Sequence, residues 1–231
     1  MTTLRADELR APAQLSLPFG TVRACDDGTA ASVVSTVEWS VSRARVRCEF
    51  LLVGSEHARR RVLGGGALAS KALLADLSTL PCDVPVPMSA LSASVVGRLR
   101  LAPTFAVVER DGDLVRQAFA AVQPICGWVF AGSWAAAQPA LDALAPYVQR
   151  NLVVPDSVAG DPLVLYAAER WGIGVIAADA GLVQPAEPFV VQRHSVQRWL
   201  FAERLYERWL HADRAPCVPV PVGPVRAGSA A

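Results

Sequence analysis

A chain of 231 residues that is 52 % hydrophobic and 19 % charged can bury a substantial core, in one domain or two small ones. Its net charge of +1 excludes steering of the whole molecule toward nucleic acid or an acidic membrane, so any polyanion contact requires a local patch. Arg, Asp, Glu, Gln or Pro interrupts every apolar stretch before the roughly 18–20 residues of a bilayer span, which excludes a transmembrane helix.

Arg5, Asp7, Glu8 and Arg10 open the chain with no apolar segment behind them, so no secretory signal and a cytoplasmic location are expected. The five cysteines are odd in number and widely spaced without a C-x-x-C pair, and the three histidines are scattered. Free thiols, no metal site and no cofactor follow as expectations. Lys71 is the only lysine, so lysine-dependent chemistry must use it or do without.

Residues 1–20 are expected to form a mobile N-terminal segment, residues 21–212 one α/β domain with a sub-boundary near 81–100, and residues 213–231 a disordered tail rich in Pro, Val, Gly and Ala. Val34, Val37, Val41, Ala44, Cys48 and Leu51 recur every three or four residues, favouring an amphipathic helix closed by Gly54. The same stretch alternates as Val37, Trp39, Val41 and Val46, Cys48, Phe50, which fits a pair of strands. Gly64-Gly65-Gly66 breaks the chain before a helix over 67–80 ended by Pro81. Residues 105–108 read as a strand, Asp111-Gly112-Asp113 as a turn, and 125–131 as a buried strand. A helix over 135–149 carries Pro139 and Pro146, and Leu152-Val153-Val154 is a short strand stopped by Pro155. Asp161-Pro162 caps a helix running to Arg170, Gly172-Ile173-Gly174 leads into a last strand, and Ser195 caps a helix over 196–211. The order predicts an α/β fold, a central mixed sheet flanked by helices.

Gln14-Leu15-Ser16-Leu17-Pro18-Phe19 resembles the hexapeptide bacterial sliding-clamp-binding motif, Q-L-x-L-x-L/F. Such a peptide binds in extended form, with Leu15, Leu17 and Phe19 filling apolar pockets and the Gln14 amide at the rim. The alternation of Leu15, Leu17 and Phe19 equally suits a first strand of the fold.

The element order over 103–180, with Val153-Val154-Pro155 followed by Gly172-Ile173-Gly174, is similar to the core of the PD-(D/E)XK, restriction-endonuclease-like fold. That family needs an acidic residue opening one strand and an acid-x-Lys pair on the next, to hold Mg²⁺ and activate water. The corresponding places carry Pro103-Thr104 and residues 125–130, with neither carboxylate nor lysine. The resemblance therefore implies a degenerate member that binds without cutting.

Arg59-Arg60-Arg61, the triple glycine and Ser70-Lys71 could surround a phosphate, although the G-x-x-x-x-G-K-S/T spacing is absent. A solvated basic surface beside a flexible turn explains the same residues. On the C-terminal helix Arg193, Arg198, Arg204 and Arg208 accompany Trp199 and Trp209, a combination suited to single-stranded nucleic acid. Glu203 and Glu207 oppose that charge, and docking of the helix onto the sheet would account for the tryptophans. The expectation is a non-catalytic DNA-metabolism accessory protein tethered to the sliding clamp, binding DNA through Arg59, Arg60, Arg61, Lys71, Arg198, Arg204 and Arg208. The alternatives are a divergent metal-dependent nuclease using Glu109, Asp111 or Asp113, and a protein-interaction module that forms a homo-oligomer.

Overall fold

The computed structural model describes residues 33–191 and 194–214. The segment favoured as one helix is instead a hairpin of two strands, β1 (Val33–Val41) and β2 (Ala44–Leu52). Alternation overrides the helical spacing because Val37, Ala44, Val46, Cys48, Phe50 and Leu52 all reach the buried face only with a period of two. The register from Val41↔Ala44 leaves a two-residue turn with Ser42 at φ 53°, a hand that matches the strand twist. Gly54 does not close a helix but opens one, α1 (Gly54–Val62).

Strands β6 (Val122–Phe130), β7 (Gln149–Val154) and β8 (Gly174–Ala177) extend the sheet in parallel, and β9 (Gly181–Gln184) closes its far edge antiparallel to β8. The result is a six-stranded mixed sheet of order β1-β2-β6-β7-β8-β9 flanked by helices, an α/β fold. The parallel strands are joined by α4 (Trp134–Leu144), and by α5 (Asp156–Ala159) and α6 (Pro162–Arg170). Ser133 caps α4, while the helix stops five residues short of the expected Gln149, which pairs as the first residue of β7. Asp161 accepts the Leu163 N–H at 2.9 Å, the expected cap with proline in the first turn. Leu141 and Leu144 of α4, with Ala202, Leu205 and Tyr206 of α7 (Val196–Arg214), pack on the face that presents Val46, Val129 and Leu152. Among the described residues no helix is long and apolar enough to cross a membrane.

A second hydrophobic cluster gathers α2 (Lys71–Thr79), α3 (Ala93–Arg100) and a three-stranded sheet of β3 (Pro85–Pro87), β5 (Asp113–Arg116) and β4 (Val107–Arg110). Asp111 and Gly112, at φ 53° and 88°, make the tight β4–β5 turn. The cluster draws on residues from Leu68 to Ala118 and on Leu200, so the boundary expected near 81–100 falls inside it. The nuclease-like core would set the strands at 105–108 and 125–130 side by side in one central sheet, whereas β4 belongs to the small sheet and the neighbours of β6 are β2 and β7. Phe105 and Ala106 are in a turn and the strand begins at Val107, and periodicity cannot say which strands pair over long range. The places matched to Pro103-Thr104 and to β6 are therefore not on adjacent strands.

Between the two clusters lies a buried ion network. Arg60, Glu56 and Glu203 have no exposed surface. Arg60 Nε donates to Glu56 (2.7 Å), and its two terminal nitrogens donate to Glu203 (2.7 and 2.8 Å), to Gly66 O (3.0 Å) and to Phe119 O (2.6 Å). Every nitrogen of the guanidinium fork is thereby bonded. Glu203 also accepts the Leu68 N–H (2.8 Å) and the Trp199 indole N–H (3.0 Å). Replacing Glu203 by Ala strands this buried cation and should cost about 3–5 kcal/mol. The expected outcome is a large drop in the urea midpoint, whereas Arg61→Ala, on the exposed side of the same helix, should change it little.

Candidate functional site

A groove of about 970 Å³ lies between the first turn of α7 and residues 116–124. Val53, Ser78, Val191 and His194 complete its walls, and among the described residues no Asp or Glu lines it. Two of its residues are arginines. Arg116 leaves the end of β5 and donates from Nε to Ala118 O (2.8 Å) and from Nη1 to Leu77 O (3.1 Å) and Leu80 O (3.0 Å). The latter are carbonyls at the C-terminus of α2, where a cation is favoured by the unpaired backbone dipoles. Its guanidinium sits 4.7 Å from the centre of the Trp199 ring. Arg198 donates to Tyr147 O and lies 5.1 Å over Phe189, and burial pulls its guanidinium below the usual range. Ser195 caps α7 by accepting the Arg198 N–H at 3.2 Å, so the positive end of a 19-residue helix faces the same groove.

The expected nucleic-acid residues do not form one patch. Arg60 is sealed in the ion network; burial alone would lower its guanidinium, and hydrogen bonds and charge from Glu203 and Glu56 reverse this and raise it. It cannot reach a phosphate, which corrects the expectation drawn from the arginine triplet. Arg59 is turned to Glu56 and to Phe105 O (2.7 Å), while Arg61 and Lys71 are exposed on separate helices. Successive helical residues point about 100° apart, so three consecutive arginines cannot share a target. Arg198 lines the large groove, whereas Arg204 and Arg208 line a separate cavity of about 270 Å³ with Trp39, Tyr147 and Phe201. Gln14, Leu15, Leu17 and Phe19 lie outside the described residues.

The groove residues missed by sequence reasoning are Arg116, Phe119 and His194. Nothing in the local pattern marks Arg116, whose partner Trp199 is distant in the chain and meets it only through folding.

On the sheet face opposite α4, Arg45 and Arg47 stack over Phe130 at 4.6 and 5.5 Å and pair with Glu38. Glu49 lies opposite Cys126, whose sulfur accepts the Asn151 amide at 2.9 Å. Burial, and then the Glu49 charge, push the Cys126 thiol up to about 12, so it stays protonated and unreactive near neutral pH. Glu109, Asp111 and Asp113 all belong to the β4–β5 hairpin, where Glu109 pairs with Arg100 (3.0 Å) and Asp111 forms the turn. Among the described residues no three His, Cys, Asp or Glu side chains are placed to hold a metal ion.

No family model matches the chain, and among curated proteins and solved structures nothing is found similar to it.

Burial raises the Glu49 carboxyl, against the lowering pull of the Trp128 indole N–H and Arg47. The fold thus favours the protonated form, a contribution present below the ordinary carboxylate range and lost as pH rises through the folded value. Glu49→Gln is expected to be more stable than the parent at neutral pH, with the gain fading on acidification. Urea unfolding at both pH values measures this, and a gain that grows on acidification would contradict the sign.

Proposed function

We propose that this chain is a non-catalytic accessory protein of DNA replication, repair or a mobile element, tethered to the sliding clamp by Gln14, Leu15, Leu17 and Phe19, with a body that holds DNA. The observation that carries the reading is the Q-L-x-L-x-F spacing at residues 14–19, which pairs two leucines and a terminal aromatic with a leading amide. The body supports it with a groove that carries Arg116, Arg198 and His194 and, among the described residues, no acidic lining residue. A non-catalytic role is supported by the central strands. Glu49 of β2 faces Cys126 of β6, residues 122–130 contain neither acid nor lysine, and Lys71, the only lysine, stands on α2.

Retention on immobilised purified clamp tests the tether. The parent chain is expected to be retained and the Gln14→Ala, Phe19→Ala double variant to pass through; equal retention sinks the tether. Incubation with single- and double-stranded DNA in Mg²⁺ or Mn²⁺ is expected to leave both intact, and cleavage that disappears when Glu109, Asp111 and Asp113 are replaced by their amides would overturn the non-catalytic assignment.

A further inference from the structure

We infer that the large groove binds single-stranded rather than duplex DNA, with an unstacked base against Phe119 and the neighbouring phosphates on Arg198, Arg116 and the first turn of α7. The inference rests on the DNA-binding reading above and specifies its substrate.

The charge of the groove is the first support. Arg47, Arg59, Arg60, Arg98 and Arg100 each reach a carboxylate, while arginines such as Arg61, Arg204 and Arg208 reach none among the described residues. Arg116 and Arg198 are held by backbone carbonyls instead and, among the described residues, neither is in an ion pair. Carbonyls fix their position without cancelling their charge, so the groove keeps a net positive field that an anion would neutralise. Stacking on Trp199 and Phe189 further limits their rotamers, so little side-chain entropy is lost on binding.

The apolar part of the lining separates a single strand from other anions. Phe119 is 37 % exposed and Val191 41 % exposed, and both line the groove that holds the two arginines. A free phosphate gains nothing from an aromatic ring, and duplex DNA keeps its base faces inside the stack. A single strand offers phosphates and open base faces together. The volume, about 970 Å³, stands at the upper end of single small-ligand pockets, about 300–1,000 Å³, and suits more than one nucleotide.

Fluorescence anisotropy of the full chain with a labelled dT oligomer of about ten nucleotides, against a hairpin duplex of equal length, tests this. The dT oligomer should bind at least tenfold more tightly, with a salt slope near −2 if about three phosphates are neutralised at about 0.7 each. Phe119→Ala and Phe119→Leu should each weaken dT binding by about tenfold, because both remove the stacking plane while leucine keeps the apolar bulk. Arg198→Gln should weaken it similarly, and Arg61→Ala should not. Duplex bound as tightly as dT, or Phe119 variants that bind like the parent, would overturn the single-strand assignment while leaving DNA binding in place. No binding to either probe would overturn both.

Discussion

The guanidinium of Arg60 is where the two halves of the molecule meet. It lies 5.3 Å from the ring centre of Phe105, in the smaller core, and 5.4 Å from that of Tyr206, in the larger one. Removing such an ion from water costs several kcal/mol, which Coulomb attraction offsets only when the hydrogen bonds are complete. Here they are, and each bond ties down a different piece of chain: Glu56 on α1, Gly66 at the end of the triple glycine, Phe119 before β6, and Glu203 on α7. The close packing continues at Gly65, where any Cβ would strike the Phe105 ring.

This network determines where α7 sits, and through α7 the shape of the groove. Trp199 donates to Glu203 on one side and receives the Arg116 guanidinium on the other. The groove forms along the seam left by the residues between β2 and β6 that build the second core. Ser78 and Arg116 come from that unit, while Val122 and Ala202 belong to the larger cluster or pack beside it. A positively charged seam persists because the carboxylates that would neutralise it are committed elsewhere: Glu203 and Glu56 to Arg60, and Asp76 to Arg98.

Much of the fold is legible locally. The Asp111-Gly112 turn, the Asp161-Pro162 cap and the Ser195 cap were each readable, because a turn hand or an unpaired N–H is satisfied within a few residues. The hairpin at 33–52 was harder, since Val37, Val41 and Cys48 suit both periods. Burial decides for strands, because five alternate residues from Ala44 to Leu52 must enter one core. Helices α1 and α3 went unread because arginines and small residues obscure their apolar faces. The candidate site was legible only in Arg198 and Trp199, and two of the other arginines on that helix, Arg204 and Arg208, turn to a different cavity.

By itself the sequence determined the class of the molecule, an α/β chain whose strands and helices follow from local periodicity and capping, and it carried the hexapeptide at 14–19. Tertiary structure alone decided which strands pair, placing β4 in a small sheet and β2 beside β6. It also decided which arginines keep a free charge. Arg60 and Arg61 are neighbours of the same type, yet one is sealed between two carboxylates and the other faces water. Arg116 becomes part of a site only by meeting Trp199. The physical reason is that periodicity and capping act over a few residues, whereas strand pairing, desolvation and ion pairing depend on groups that folding brings together from distant parts of the chain.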